Sequence, residues 1–248
     1  MKLSFSLALL LATAAFSQDT FRWSGNVAAG KAIEIKGVNG GIHAERSTSG
    51  GVEVVAVKSA RSDNPADVRV DVVPHDGGVT LCAVYPGEGN RCGAGKDGRM
   101  NVRNNDVKVE FAVKIPAGVN LIARSVNGDV DARDIQGDVQ AHTVNGRVSA
   151  TATGVVEGHT VNGDIVVAMG TAPAKSLEFH TVNGKIEIGM PQGSGAEMDA
   201  NTVNGRIESD FPMQIAGTLS PRHVKARLGN GGPELKLHTV NGDIRIHK

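Results

Sequence analysis

The chain has 248 residues, with 26 basic and 26 acidic side chains and a formal net charge of +0, so no global field favours nucleic acid or an anionic membrane surface. Its 32 glycines and 3% aromatic residues argue against a helical protein, where each interior glycine costs about 1 kcal/mol. They suit short strands and tight bends.

The chain opens with Lys2 and an apolar run, Leu3 to Phe16, ending in Ala15-Phe16-Ser17. That pattern predicts a signal peptide over 1–17, with cleavage before Gln18. The run is too short for a membrane span of about 20 residues, and the absence of a nearby cysteine argues against a lipid anchor. Residues 18–248 are expected to form a single all-β domain that is exported to a periplasm, a cell surface or the medium, without membrane insertion.

From 38 to 120 the strands are long and alternating: Val52–Val57, Val68–Val73, Val79–Val84 and Val107–Val113. Gly77-Gly78 reads as a hairpin turn between two of them, and Pro116-Ala117-Gly118 ends the last. The glycine-rich, charged stretch 88–106 reads as a loop. Cys82 and Cys92, the only cysteines, are predicted to pair, because an even count in an oxidising compartment reads first as a disulfide. Structural zinc would want four ligands.

From 121 to 248 the chain repeats. Val-Asn-Gly begins at Val38, Val126, Val144, Val161, Val182, Val203 and Val240. The corners to watch are Asn127-Gly128, Asn145-Gly146, Asn162-Gly163, Asn183-Gly184, Asn204-Gly205 and Asn241-Gly242. Each follows a short strand of period two: Leu177, Phe179 and Thr181 share one face, and Glu178 and His180 the other. The parity changes across each corner, which predicts a bulge or a glycine of positive φ. Between Asn204 and Asn241 the spacing widens, which predicts an inserted hairpin near 212–233, around Pro221.

Two folds compete. Asn-Gly between alternating strands also signals hairpins, hence an antiparallel meander. In a solenoid, equivalent corners stack about 4.8 Å apart and identical Asn side chains can bond up the ladder. Identity through Thr, Val, Asn and Gly favours an all-β, single-stranded β-solenoid (β-helix-like), with flanking antiparallel strands as caps. The residues after the corner glycines, Asp129, Arg147, Asp164, Lys185, Arg206 and Asp243, then alternate in sign as stacked neighbours prefer, except at Lys185 and Arg206.

The Thr-Val-Asn-Gly-Asp-Ile type corner, the strand end Val113-Lys-Ile-Pro-Ala-Gly118 and the segment from Gly231 to Ile244 together resemble the bacterial putative-adhesin family of exported β-solenoid domains. The resemblance implies stacked β structure outside the cytoplasm and a role in surface interaction. It supplies no catalytic residue.

Other chemistry is weaker. His142, His159, His180 and His238 share one repeat position, interrupted by Asn201, and could form a column that holds a metal or anions. Their alternation points them outward, as ordinary strand polarity. Asp129, Asp138 and Asp164 follow glycines but lack the doubled glycines of calcium-binding repeats. Sugar-cleaving chemistry needs a groove and a spaced acid–base pair, and aromatics are sparse. Gly93-Ala-Gly95-Lys96 echoes a phosphate loop, but Asn90 replaces its first glycine and Asp97 its final Ser or Thr. The expectation is a non-catalytic, adhesin-like exported protein with no cofactor and no nucleic-acid partner. Its partner would be a protein or cell-surface ligand; stacked edges also allow edge-to-edge self-association, in a structural envelope role.

Overall fold

A computed structural model describes residues 17–215, 220 and 222–248. The predicted signal peptide, apart from Ser17, lies outside the described residues, as does Pro221.

Apart from one 3-10 turn, Pro65–Asp67, the regular elements among the described residues are strands. The first seven are β1 (Ser17–Gly25), β2 (Ala32–Lys36), β3 (Ile42–Arg46), β4 (Val52–Ala60), β5 (Arg69–His75), β6 (Gly78–Val84) and β7 (Lys108–Ile115). The repeat region contributes β8 (Asn120–Arg124), β9 (Val130–Ile135), β10 (Val139–His142), β11 (Val148–Ala152), β12 (Val156–His159), β13 (Ile165–Met169), β14 (Leu177–His180) and β15 (Ile186–Gly189). Then come β16 (Ala196–Asn201), β17 (Ile207–Ser209), β18 (Met213–Ile215), β19 (His223–Leu228), β20 (Glu234–His238) and β21 (Ile244–His247).

The strands form two mixed sheets. One runs β1-β4-β7-β3-β9-β11-β13-β15-β21-β17, the other β18-β19-β16-β20-β14-β12-β10-β8-β2-β6-β5. Each Val-Asn-Gly corner carries the chain from the second sheet into the first. The central pairings are parallel and in register, Val139 beside Val156 and Val148 beside Ile165, so these corners are not hairpin turns. Alternation puts Leu121, Ala123, Val139, Ala141, Phe179, Ile186, Leu237 and Ile246 into a common core between the sheets. Gly158 stands level with Phe179 in the next strand, and a Cβ there would press on the Ile165 side chain across the core at 3.1 Å.

Two features differ from the single-stranded solenoid expected. The flanking antiparallel strands expected as caps are present but are built into both sheets, which are therefore mixed: β1, β4 and β7 extend one, β5 closes the other, and β18 and β19, in the region of the expected hairpin, cover its far edge. The rungs are also out of chain order. The corners stack as Asn39, Asn127, Asn145, Asn162, Asn183, Asn241 and Asn204, so β20 and β21 slot between rungs that precede them in sequence. Burial gives the reason. Leu235, Leu237, Ile244 and Ile246 are all buried, whereas Ile207 of β17 is only half-buried at the end of its sheet. The more apolar rung takes the interior.

The stacked corner and the loop pocket as candidate functional site

Three features of the corner sequence divide the work. Thr143, Thr160, Thr181, Thr202 and Thr239 are buried, and each donates its hydroxyl proton to the carbonyl of a corner glycine in the neighbouring rung: Gly128, Gly146, Gly163, Gly242 and Gly184 respectively, at 2.8 to 2.9 Å. Ser125 does the same for Gly40 at 2.9 Å. The glycines are required for closeness. A Cβ on Gly146, Gly163 or Gly184 would collide with the carbonyl of the glycine below, and among the corners only Gly40 has φ in the left-handed range, at 119°. The positive φ expected elsewhere is therefore replaced by close backbone approach. The asparagines form an unbroken ladder, each Nδ2 donating to the Oδ1 of the asparagine below, from Asn127 on Asn39 to Asn204 on Asn241, at 2.7 to 2.9 Å. These amides are exposed and bond one another, not the backbone.

The rung order also resolves the charge column. Asp243 lies between Lys185 and Arg206, so signs alternate throughout the stack. Asp129, Asp164 and Asp243 each accept the backbone N–H of the basic residue above, Arg147, Lys185 and Arg206, at 2.7 to 2.9 Å. Asp138 accepts the N–H of Val155 at 3.0 Å. These carboxylates are corner fasteners. Among the described residues no group of three or more His, Cys, Asp or Glu side chains has the geometry of a metal site.

The same order makes the histidines contiguous. Arg124, His142, His159, His180 and His238 stand in successive strands, and Asn201 follows at the end instead of interrupting them. The His142 and His159 rings stack with centroids 4.9 Å apart and planes 5° from parallel; His180 and His238 are 5.2 Å apart and tilted. Parallel stacked rings aim their nitrogen lone pairs side by side, which does not converge on one ion. Burial, then the Arg124 charge and the neighbouring His159, lower the His142 pKa to about 4; burial, then His238 and His159, also lower that of His180. A histidine depressed below its unfolded value of about 6.5 contributes stability above that pH, and loses it as pH falls through the folded pKa. The denaturant midpoint is therefore expected to fall between pH 6.5 and 4, and His142→Gln to flatten that slope. An unchanged slope in the variant would mean His142 is not the group responsible.

Cys82 and Cys92 form a disulfide, with Cα atoms 5.5 Å apart. It ties the start of the 88–106 loop to β6, and the loop folds back over the first corners. There a pocket of about 570 Å³ opens between the loop and the Asn39 and Asn127 corners. Beneath it lies a network that sequence reasoning missed. Glu34, 3% exposed, accepts from Thr80 Oγ1 at 2.8 Å, Gly95 N at 3.0 Å and Arg124 Nε at 3.3 Å. Lys36 Nζ lies 3.6 Å from Glu34 and donates to the carbonyls of Gly93 and Gly95 at 2.5 and 2.7 Å. Alternation sets Glu34 on the outer face of Ala32-Ile-Glu-Ile-Lys36, opposite the core residues Ile33 and Ile35, so the strand itself gave no sign that a distant loop would bury it. The Gly95 N–H is spent on Glu34, so the segment is no phosphate loop. Replacing both cysteines by serine should cost about 2–3 kcal/mol through the freed loop, read as a lower urea midpoint; an unchanged midpoint would show that Glu34 alone holds the loop.

The comparisons follow from this architecture. A crystal structure of a "putative cell adhesion protein" from Clostridium sporogenes ATCC 15579 superimposes with a TM-score of 0.51 at 13% identity, over 93% of this chain and 99% of that one. A "putative adhesin" from Bacteroides fragilis NCTC 9343 gives 0.40 at 14% identity, over 92% and 97%. At such identity the first match speaks to fold alone. No curated protein matches the chain. The model of the Toastrack DUF4097 family matches residues 33–247, nearly the whole chain, and the protein belongs to that family.

Proposed function

We propose that this chain is an exported, non-catalytic surface-interaction protein of the adhesin type, whose solenoid-like stack displays one repeated edge to a protein or cell-surface partner. One observation carries the reading. Val126, Val144, Val161 and Val203 are 38 to 45% exposed, and with Val182 and Val240 they form a row along the corner, flanked by the asparagine ladder and the outward histidines. Five spacings of about 4.8 Å between these six valines give a strip of roughly 24 Å. An aligned apolar row of that length is unlike singly scattered surface residues and fits a contact surface. The adhesion-related description of the Clostridium sporogenes protein agrees with this reading, as does the disulfide, which suits an oxidising compartment. Among the described residues no helix is long and apolar enough to cross a membrane.

Beads coated with the protein should retain on cell surfaces or envelope preparations, and Val144→Asp with Val161→Lys should abolish retention while leaving the unfolding midpoint within about 0.5 kcal/mol per site. Equal retention by the variant would remove the strip from consideration.

A structural envelope role has one observation in its favour. The edge of β17 pairs on one side only, with β21. That strand is three residues long and lies among Arg206, Glu208 and Asp210, features that blunt an edge. Sedimentation is expected to show no concentration-dependent polymer; filaments would favour the structural role.

A further inference from the structure

The wall of the loop pocket carries four cations, Lys36, Arg91, Arg99 and Arg124, and no carboxylate. In a chain of balanced charge such a concentration requires a reason. We propose that this pocket binds an acidic saccharide, with carboxylate or sulfate groups held by the arginines and hydroxyls by the corner and loop amides.

The pocket is built, not incidental. Glu34 lies under it, almost wholly buried, with both oxygens engaged. Burying a carboxylate is costly unless it is fully partnered, and here the cost secures two things: the loop is pinned through Gly95 N, and Arg124 is held by Nε, which leaves its two terminal nitrogens free of the Glu34 bond. Lys36 is fixed by the Gly93 and Gly95 carbonyls, and the disulfide anchors the same wall, since Cys82 itself lines the pocket.

Arg91 and Arg99 break a local rule. They face each other across an antiparallel bridge closed by two backbone hydrogen bonds, of 2.9 and 3.0 Å. Directly opposed like charges destabilise a strand pair. Glu34 is engaged with Arg124 and Lys36, and among the described residues no ion pair neutralises Arg91 or Arg99. A bound oxyanion would relieve this repulsion, and paired guanidinium forks match carboxylate and sulfate oxygens geometrically.

Size and remaining lining choose the class. A volume of about 570 Å³ falls in the range for small organic ligands and far exceeds a single inorganic anion. Asn39, Asn104 and Asn127 bring side-chain amides, which both donate and accept and so suit sugar hydroxyls. Met100, Val102 and Val126 offer apolar contact for the ring C–H faces. This lining shares Val126 with the valine strip and none of its other members.

Calorimetric titration of the oxidised protein with trigalacturonate, a sulfated heparin tetrasaccharide and neutral maltotriose tests it. At least one acidic saccharide is expected to bind saturably and maltotriose not to bind; the two acidic arms distinguish carboxylate from sulfate. Arg91→Ser with Arg99→Ser should weaken binding by about tenfold or more. Both side chains are exposed and their pairing is through the backbone, so the unfolding midpoint should not fall. Added salt should weaken wild-type binding, a readout that needs no variant. Absence of saturable binding to either acidic saccharide, equal affinity in the double variant, salt-insensitive binding, or maltotriose binding as tightly would each overturn the proposal. Val144→Asp with Val161→Lys touches none of this lining, so retained saccharide binding in that variant separates the pocket from the strip.

Discussion

Gly163→Ala is expected to lower the free energy of unfolding by about 3 kcal/mol or more, at the upper end of overpacking costs. The corner offers the new methyl group no escape. Its Cβ would run into the carbonyl oxygen of Gly146 in the rung below, and that carbonyl is held by the Thr160 hydroxyl. Moving the Gly163 corner away would stretch the amide bond to Asn145 below and crowd the rung above, where the Gly163 N–H already donates to the Asn183 carbonyl at 2.9 Å. Each rung contacts only its neighbours, so the strain cannot be spread over the whole molecule. Gly193→Ala is the comparison. Gly193 has φ of 85° but nothing within 4 Å of its would-be Cβ, so the penalty is conformational only, about 1–2 kcal/mol. Urea midpoints, with the slope checked for change, should rank Gly163→Ala well below Gly193→Ala. The reverse order would mean that the stack relaxes more readily than its hydrogen bonds imply.

The corner was legible in the sequence because a repeat exposes its constraints several times over. Thr, Val, Asn and Gly recur together, and the alternation of Leu177, Phe179 and Thr181 already placed the threonine inside. What each residue does there was less legible. Periodicity distinguishes faces, not hydrogen-bond partners: stacking of identical corners made the asparagine ladder foreseeable, but not that the threonine hydroxyls hold the corner carbonyls. Likewise glycine is compatible with both positive φ and close approach, and only the rung below decides between them.

Rung order was hidden for a related reason. Two equivalent corners present the same edge, and chain order is the natural guess. The sequence nevertheless held a contrary sign, the like charges of Lys185 and Arg206, which vanish as neighbours once Asp243 stands between them. The loop pocket was beyond reach of local reasoning: Glu34 and Gly95 are 61 residues apart, and nothing in the 88–106 composition says which strand it will cover.

Replacing the hydroxyls of two adjacent rungs, Thr160→Val with Thr181→Val, is expected to cost about 2–4 kcal/mol. Valine keeps the volume and the β-branch that suit a strand, so the change isolates the hydroxyl. Each substitution leaves a corner carbonyl, Gly146 or Gly163, without its donor, at about 1–3 kcal/mol per partly shielded group. The two sites share the Gly146–Gly163 contact, so the double loss should depart from the sum of the singles. The neighbouring columns supply internal controls. Asn183→Ala removes two amide bonds of the ladder, at 2.8 Å to Asn162 and 2.7 Å to Asn241, but these groups are exposed and water can replace the partners, so about 1 kcal/mol is expected. His180→Ala, half-buried on the outer face, should change stability by only about 0.5 kcal/mol. Denaturant midpoints of the three variants should therefore rank threonine loss worst, asparagine next and histidine last. If His180→Ala costs as much as the threonine pair, the outer column and not the hydroxyls carries the stack. If Asn183→Ala exceeds the double valine variant, the amide ladder is the main fastener and the buried carbonyls are reached by water.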